Sequence, residues 1–342
     1  MKDKYTGNAA YWQGNSAIKH GNISFNEIKE DEALVEVRYC GVCGTDIAIY
    51  KGIHPRAKYP LVMGHEFSGI IKEVKSDFFK VGDKVVVNPL ISCYKCRPCN
   101  EHNEHICQNL RLLGIDKNGG FAKYIVVDVS KLHKIPEKMD LRIATLIEPF
   151  ATGVHAFWKA LPKKEDIVLI LGGGPIGFST GLFFRNNGIK NIYFSEISDF
   201  RTSLLQKFGF NVINPEKEDL LNKIKDISNG NLADIVVLAA GTSEPVQSMV
   251  ALTKVLGLIV LVGVVHEPPK VDLMNIVFKE ITVKGARVYK DTDFTKAIEF
   301  VMENQDVLEN FISEVFPLQR LDDAIIFASN PEKSTKVVIE IN

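Results

Sequence analysis

Hydrophobic and polar positions change their period part-way along the chain. Through the first 150 residues the apolar runs are short and cut by Gly and Pro. Leu34-Val-Glu-Val-Arg38 alternates, Phe67–Val74 is rich in β-formers, and Val81-Gly-Asp-Lys-Val-Val-Val87 reads as a turn followed by a strand. Such spacing predicts an antiparallel or barrel-like unit. From about Ile167 the texture differs. Apolar segments at Ile167–Leu171, Asn191–Phe194, Asp234–Leu238 and Leu258–Val262 alternate with helical patterns at Arg201–Phe208 and Pro215–Ile227. That alternation predicts βαβ units around a doubly wound parallel sheet. After about Asp291 a helix over Phe294–Glu303 and a strand over Lys336–Ile341 remain, and this piece is expected to return to the first domain. The pattern therefore predicts an α/β chain of two domains, 1–150 completed by 292–342, and 151–291.

Composition narrows the class. At 342 residues the chain has the length of two ordinary domains. Lys and Arg number 41 against 42 Asp and Glu, a net charge of −1, so no basic excess points to nucleic acid or an anionic membrane. Hydrophobic residues at 46% and charged residues at 24% are the globular mix and argue against disorder. The first ten residues, MKDKYTGNAA, hold no apolar h-region, so no secretory signal is expected. Ile167–Phe184 is 18 residues without a charge, but its five Gly and one Pro predict a buried strand, turn and helix rather than a membrane span. A cytoplasmic protein with reduced cysteines is the expectation.

Four of the six cysteines, Cys93, Cys96, Cys99 and Cys107, lie within 15 residues as C-x2-C-x2-C-x7-C. Each C-x2-C turn presents two thiolates to one ion, and four thiolates satisfy tetrahedral zinc with no open position, so this site is expected to be structural. His102 and His105 share the loop and are expected to be solvated. Cys43 belongs to a different arrangement. It lies in Cys40-Gly-Val-Cys43-Gly-Thr-Asp46, with Gly64-His65-Glu66 some twenty residues on and Glu148-Pro149 far downstream. One thiolate, one imidazole and one or two carboxylates make the mixed shell of a catalytic ion with an exchangeable position.

Val168-Leu-Ile-Leu-Gly172-Gly-Gly174-Pro175-Ile176-Gly177 reads as a strand, then G-x-G-x-x-G, then an apolar helix. Gly172 permits the tight turn, Gly174 lets a pyrophosphate approach, and Gly177 allows close helix–strand contact. The helix N-terminus supplies free N–H groups for the phosphates. Glu196 ends the next strand, 19 residues after Gly177. A carboxylate there binds both ribose hydroxyls and repels a 2′-phosphate, which favours NAD, while Arg201 nearby keeps NADP open.

In this order, Cys43, His65-Glu66, the four-cysteine loop, Glu148 and G-x-G-x-x-G, the sequence resembles the zinc-containing medium-chain alcohol dehydrogenase family, and within it the sorbitol, threonine and butanediol dehydrogenase branch. CGVCGTD, GHEFSGII, VGDKVVV, GGFAKYIVV, LIEPFATGVHA and LGGGPIG carry the resemblance, which spans nearly the whole chain. It implies a GroES-like, β-rich catalytic domain plus a Rossmann NAD-binding domain, with the active site in the cleft between them. It implies two Zn2+ per chain and NAD as cofactor. Cys43 and His65 match catalytic zinc ligands, Glu66 matches a ligand used in some states, and Glu148 stands where the polyol branch has a Glu that binds zinc or its water. Thr152 matches a nicotinamide contact, Asp46 a carboxylate behind the zinc, and Lys336 its basic partner. Ala48 replaces a relay His, which leaves the proton to Thr45 or to a Glu148-bound water, with His54 as a substitute relay. Leu238 stands where relatives often carry Glu.

The implied substrate is a small-molecule secondary alcohol or its ketone: a polyol, a sugar acid, a diol or L-threonine. A polyol phosphate would need a basic cluster such as Arg56, Lys58, Arg111, Lys117, Arg287 and Lys290. A reductase of this fold without zinc, or a dinucleotide-binding regulator, would not need the Cys43, His65 and Glu148 shell. Branch relatives are dimers or tetramers, so a homodimer or homotetramer is expected, with Leu256–Val265 as the sheet edge that pairs two Rossmann domains.

Overall fold

The computed structural model describes residues 4–265 and 268–342. The chain divides into two compact units, one made of residues up to Glu148 together with Lys290–Asn342, the other of Pro149–Tyr289.

In the first unit the strand Glu32–Val42 is the organiser. Along its length it pairs antiparallel with Glu66–Val74, Tyr124–Asp128 and Lys336–Glu340. These belong to one seven-stranded sheet. The alternation over Leu34–Arg38 therefore does not mark one wet face. Leu34, Val35 and Val37 are fully buried, and Glu36 is only 9% exposed. Glu36 is tolerated there because Lys72 Nζ stands 3.2 Å from its carboxylate and Arg38 3.6 Å. The last strand, Lys336–Glu340, runs parallel to Ile312–Pro317, and its register sets Val337 opposite Val42. A two-residue ladder, Leu90–Ile91 with Arg111–Leu112, closes the base of the cysteine loop.

The second unit is a six-stranded parallel sheet in the order Asn211–Ile213, Ile192–Ser195, Val168–Leu171, Ala233–Leu238, Thr253–Leu261, Thr282–Gly285. Counted along the chain this is 3-2-1-4-5-6, the doubly wound order, and ligands bind at the carboxyl ends where that order reverses. Val168–Leu171 is buried along its whole length, as strands covered on both faces are. The uncharged stretch Ile167–Phe184 forms this strand and the helix Pro175–Asn186. Among the described residues no helix is long and apolar enough to cross a membrane. The helix expected over Pro215–Ile227 starts only at Leu220, because Asp219 caps it by accepting the Asn222 N–H at 3.0 Å. Leu238 is a core residue.

One expectation fails. The segment Leu256–Val265 is no sheet edge: its strand, Thr253–Leu261, lies between Ala233–Leu238 and Thr282–Gly285. The edge is Thr282–Gly285, whose sequence Thr-Val-Lys-Gly is too short and polar to announce a strand.

Candidate metal and dinucleotide sites

Cys43 follows the strand Glu32–Val42 and caps the helix Gly44–Tyr50. Glu66 opens the strand Glu66–Val74 and lies opposite Gly41 in the ladder. That register brings Cys43, His65 and Glu66 together, with one ligand atom of each within 4.8 Å of the others. Asp46 braces the cluster from behind. It is fully buried, accepts the Cys43 N–H at 2.9 Å and the Gly64 N–H at 3.1 Å, and stands 3.8 Å from His65 Nδ1. Burial works against charge on His65, but Asp46, Cys43 and Glu148 outweigh it and hold its pKa well above the usual range. Burial raises the pKa of Asp46, against the pull of His65 and the Cys43 N–H.

The basic partner of the cluster is placed differently from the expectation. Lys336, 1% exposed, gives its ammonium to Glu66 Oε2 and to the Val42 carbonyl at 3.1 Å, not to Asp46. Burial lowers the pKa of Lys336, yet Glu66, Cys43 and Glu148 raise it on balance. Glu148 is half-buried at the start of the helix Ile147–Ala160. It is not one of the three mutually close side chains, but its charge acts on both His65 and Lys336. Thr45 is half-buried in the first turn after Cys43, and Ala48 is buried on the same helix.

These residues fit a divalent cation. Glu66 Oε1 is buried without a hydrogen-bond partner. Glu66, Cys43 and Glu148 all act on the one buried ammonium of Lys336, while Asp46 acts on His65. A thiolate, an imidazole and a carboxylate are a donor set suited to zinc.

The cysteine loop fits a second ion. The Sγ atoms of Cys96 and Cys99 lie 3.4 Å apart and those of Cys96 and Cys107 3.8 Å, too far for disulfides. The edge of a tetrahedron with zinc–sulfur bonds of about 2.3 Å is about 3.8 Å. The Cys93 and Asn109 N–H groups both point at Cys107 Sγ from 3.3 Å. The Cys93 thiol is pulled down to about 6, chiefly by the Lys95 N–H, while Cys99 is pushed up to about 12 by burial and by the Cys96 and Cys107 thiols. His102 is exposed, but His105 is buried, against the expectation that both are solvated. Neither belongs to the ligand cluster.

In the second unit Gly172 takes φ = +103° at the end of Val168–Leu171, a conformation that favours glycine. A Cβ on Gly177 would overlap the Gly172 carbonyl oxygen, so the third glycine is required for the close return of the helix onto the strand. Gly174 caps that helix, with Pro175, Ile176 and Gly177 in its first turn. Glu196 is buried and accepts three backbone N–H groups, from Gly173 at 2.7 Å, Ile197 at 2.8 Å and Ser198 at 2.9 Å. The Arg201 guanidinium lies over the turn, 3.5 Å from where a Gly174 Cβ would stand. Thr152 is half-buried on the helix Ile147–Ala160.

Two readings of loop residues change. His54 Nδ1 accepts the Arg56 and Ala57 N–H groups at 3.4 and 3.2 Å. One of the two nitrogens a relay would exchange is thus taken. Arg56 is tied to the Leu110 carbonyl at 2.9 Å and to Asp116 at 3.4 Å, which withdraws it from a phosphate. Lys336 as the partner of Glu66 is a pairing that sequence reasoning missed; its signal was a Lys inside the apolar strand Lys336–Ile341.

Residues 29–137 match the alcohol dehydrogenase GroES-like domain family, and residues 175–303 match the zinc-binding dehydrogenase family. The 2-dehydro-3-deoxy-L-galactonate 5-dehydrogenase of Pseudoalteromonas atlantica is 34% identical over 332 residues, which cover 94% of this chain and 97% of that one. The crystal structure of RspB from Escherichia coli CFT073, complexed with NADH, aligns with a TM-score of 0.90 at 28% identity over 98% of this chain and 99% of that one. A Sinorhizobium meliloti zinc-binding dehydrogenase bound to NADP aligns with a TM-score of 0.91 at 28% identity over 98% of this chain and all of the other.

Proposed function

Because the chain belongs to the zinc-binding alcohol dehydrogenase family, and so is an oxidoreductase acting on an alcohol, we propose that it oxidises a secondary hydroxyl of a sugar acid or polyol with NAD. The observation that carries this reading is the trio Cys43, His65 and Glu66, the last two buried, with an unsatisfied carboxylate oxygen on Glu66. The sugar-acid end of the range is favoured by the Pseudoalteromonas relative, named for a sugar acid.

A bound zinc would supply the acidification of a substrate hydroxyl and a bound NAD the acceptor for its hydride. Cys43, His65 and Glu66 would hold the first metal, beside which the substrate hydroxyl would bind. Cys93, Cys96, Cys99 and Cys107 would hold the second and leave no open position. Thr45 Oγ1 passes the hydroxyl proton toward the Glu148 carboxylate, a route needed because Ala48 has no group to carry it. The turn of Gly172, Gly174, Pro175, Ile176 and Gly177 takes the pyrophosphate with Arg201 above it. Thr152 orients the nicotinamide, and Glu196 accepts the ribose hydroxyls. A 2′-phosphate there would set like charges about 4 Å apart, a repulsion of roughly 1 kcal/mol in water and more where water is excluded. Relatives of this fold take either nucleotide, and Glu196 selects NAD.

Freshly purified protein is expected to contain two zinc ions per chain and to form NADH from members of a sugar-acid and polyol panel, with higher kcat/KM for NAD than for NADP. One zinc or none, no turnover across the panel, or a preference for NADP would overturn the corresponding part of this reading.

The chain is also proposed to work as a homodimer or a homotetramer built from such dimers. Beside the edge strand Thr282–Gly285 the helix Leu273–Phe278 buries no residue fully, and Leu273, Met274, Val277 and Phe278 are all more than 60% exposed. The Leu256 N–H bonds the Lys279 carbonyl at 2.7 Å, so the exposed Val255 and Leu256 adjoin them. A stable interface buries about 800 Å² per partner, and an open strand edge flanked by an apolar patch is the kind of surface it is built on. A second copy fits because one strand edge can pair with itself about a two-fold axis. Phe278→Glu is expected to shift the mass by light scattering toward the monomer; a monomeric wild type would end the proposal.

A further inference from the structure

The helix Ile147–Ala160 carries Glu148 in its first turn and Thr152 four residues on, the spacing that puts two side chains on one helical face. Its seat on the helix Pro175–Asn186 includes a close approach of the two backbones at Gly153. A Cβ on Gly153 would stand 2.7 Å from Ser179 Oγ, 2.8 Å from the Ser179 carbonyl carbon and 2.8 Å from the Thr180 nitrogen. Two of those three atoms are main chain inside a helix and cannot swing aside. Ser179 is fully buried, and its hydroxyl donates to the Ile176 carbonyl at 2.9 Å and reaches the Pro149 carbonyl at 3.3 Å. It therefore ties the first turn of one helix to the first turn of the other. Phe150 and Phe178 close the same seam edge to face, with ring centroids 6.4 Å apart.

The helix Pro175–Asn186 begins at the glycine turn and is itself locked to the preceding strand through Gly177. An unbroken set of rigid contacts thus runs from the glycine turn, through Ser179 and Gly153, to the helix bearing Thr152 and Glu148. We propose that Gly153 and Ser179 are positioning residues for the hydride transfer: they fix the height of the Thr152-bearing helix on the phosphate-binding helix, without touching any reactant. The inference rests on the dehydrogenase reading above. Its physical basis is that reacting groups held in a productive geometry lose rate steeply when shifted by about 1 Å.

The test compares wild type with Gly153→Ala and Ser179→Val, which press on the same seam from opposite sides. Each is expected to lower kcat about 10- to 100-fold. The Kd for NADH, read from the fluorescence of the bound nucleotide, is expected to stay within about threefold, because the glycine turn itself is unmoved. Adding Ser179→Gly to Gly153→Ala removes one of the three contacts and is expected to restore part of kcat. A merely structural seam would lower the melting temperature and leave kcat at wild type well below it, and that outcome overturns the proposal. So does loss of NADH binding in step with kcat, which would place the effect at the phosphate turn. If one variant fails to fold, the other decides. A wild type without turnover on the sugar-acid and polyol panel would instead overturn the functional reading, and this inference with it.

Discussion

Glu148→Gln is expected to lower kcat by about 10²–10³, the usual cost of losing a charged group at a preorganised site, while zinc content and fold stay as in the wild type. The substitution keeps the shape of the side chain and removes only the charge. That charge is felt at the centre of the site, since it raises the pKa of both His65 and Lys336. Glu148 is also half-buried and lies outside the mutually close trio. Ala48 offers no alternative, and one His54 nitrogen is occupied by backbone. Steady-state kinetics on the best substrate, with metal analysis of the same sample, check the result. Near-wild-type turnover would reduce Glu148 to a structural residue and remove the main support for proton transfer through it.

The second large effect belongs to Lys336→Met. Both members of the Lys336–Glu66 pair are 1% exposed. Methionine keeps most of the lysine stem but leaves Glu66 as a buried, uncompensated charge. Removing one partner of such a pair typically costs about 3–5 kcal/mol. That loss is expected in denaturation of the metal-free protein. It is expected to shrink when zinc is present, because the cation would then offset the same buried carboxylate. Equal destabilisation with and without zinc would show that Lys336 and the metal do not share Glu66.

The elements most legible in the sequence were those whose partners are close along the chain. The four cysteines lie within 15 residues, and turns between C-x2-C pairs are enough to gather their sulfurs. The glycine turn was readable for the same reason: strand, turn and helix follow one another, and the conformation of Gly172 and the tight return at Gly177 are local requirements. The parallel sheet was announced by apolar strands alternating with helical patterns, since strands buried on both faces must be apolar throughout.

Where the reading went astray, a distant partner was responsible. The alternation over Leu34–Arg38 carries no sign that Glu36 is covered, yet two partner strands flank that stretch of Glu32–Val42, and Lys72 and Arg38 supply the charge that Glu36 needs. His105 looked like a loop histidine, yet it is buried. The strand Thr253–Leu261 was apolar enough to be found but carried no sign of its neighbour. The edge strand Thr282–Gly285 is four residues of mixed polarity, and only its pairing defines it.

The sequence by itself determined the two kinds of unit, the cysteine loop and the glycine turn, because each is set by hydrophobic period or by residues a few positions apart. The tertiary structure alone decided that Lys336 answers Glu66 across 270 positions and not Asp46, which strand closes the sheet, and how closely Gly153 seats one helix on another. Those are matters of which backbones approach and which buried charges must be neutralised. Such demands arise only once the chain has folded and water has been excluded, and no local pattern encodes them.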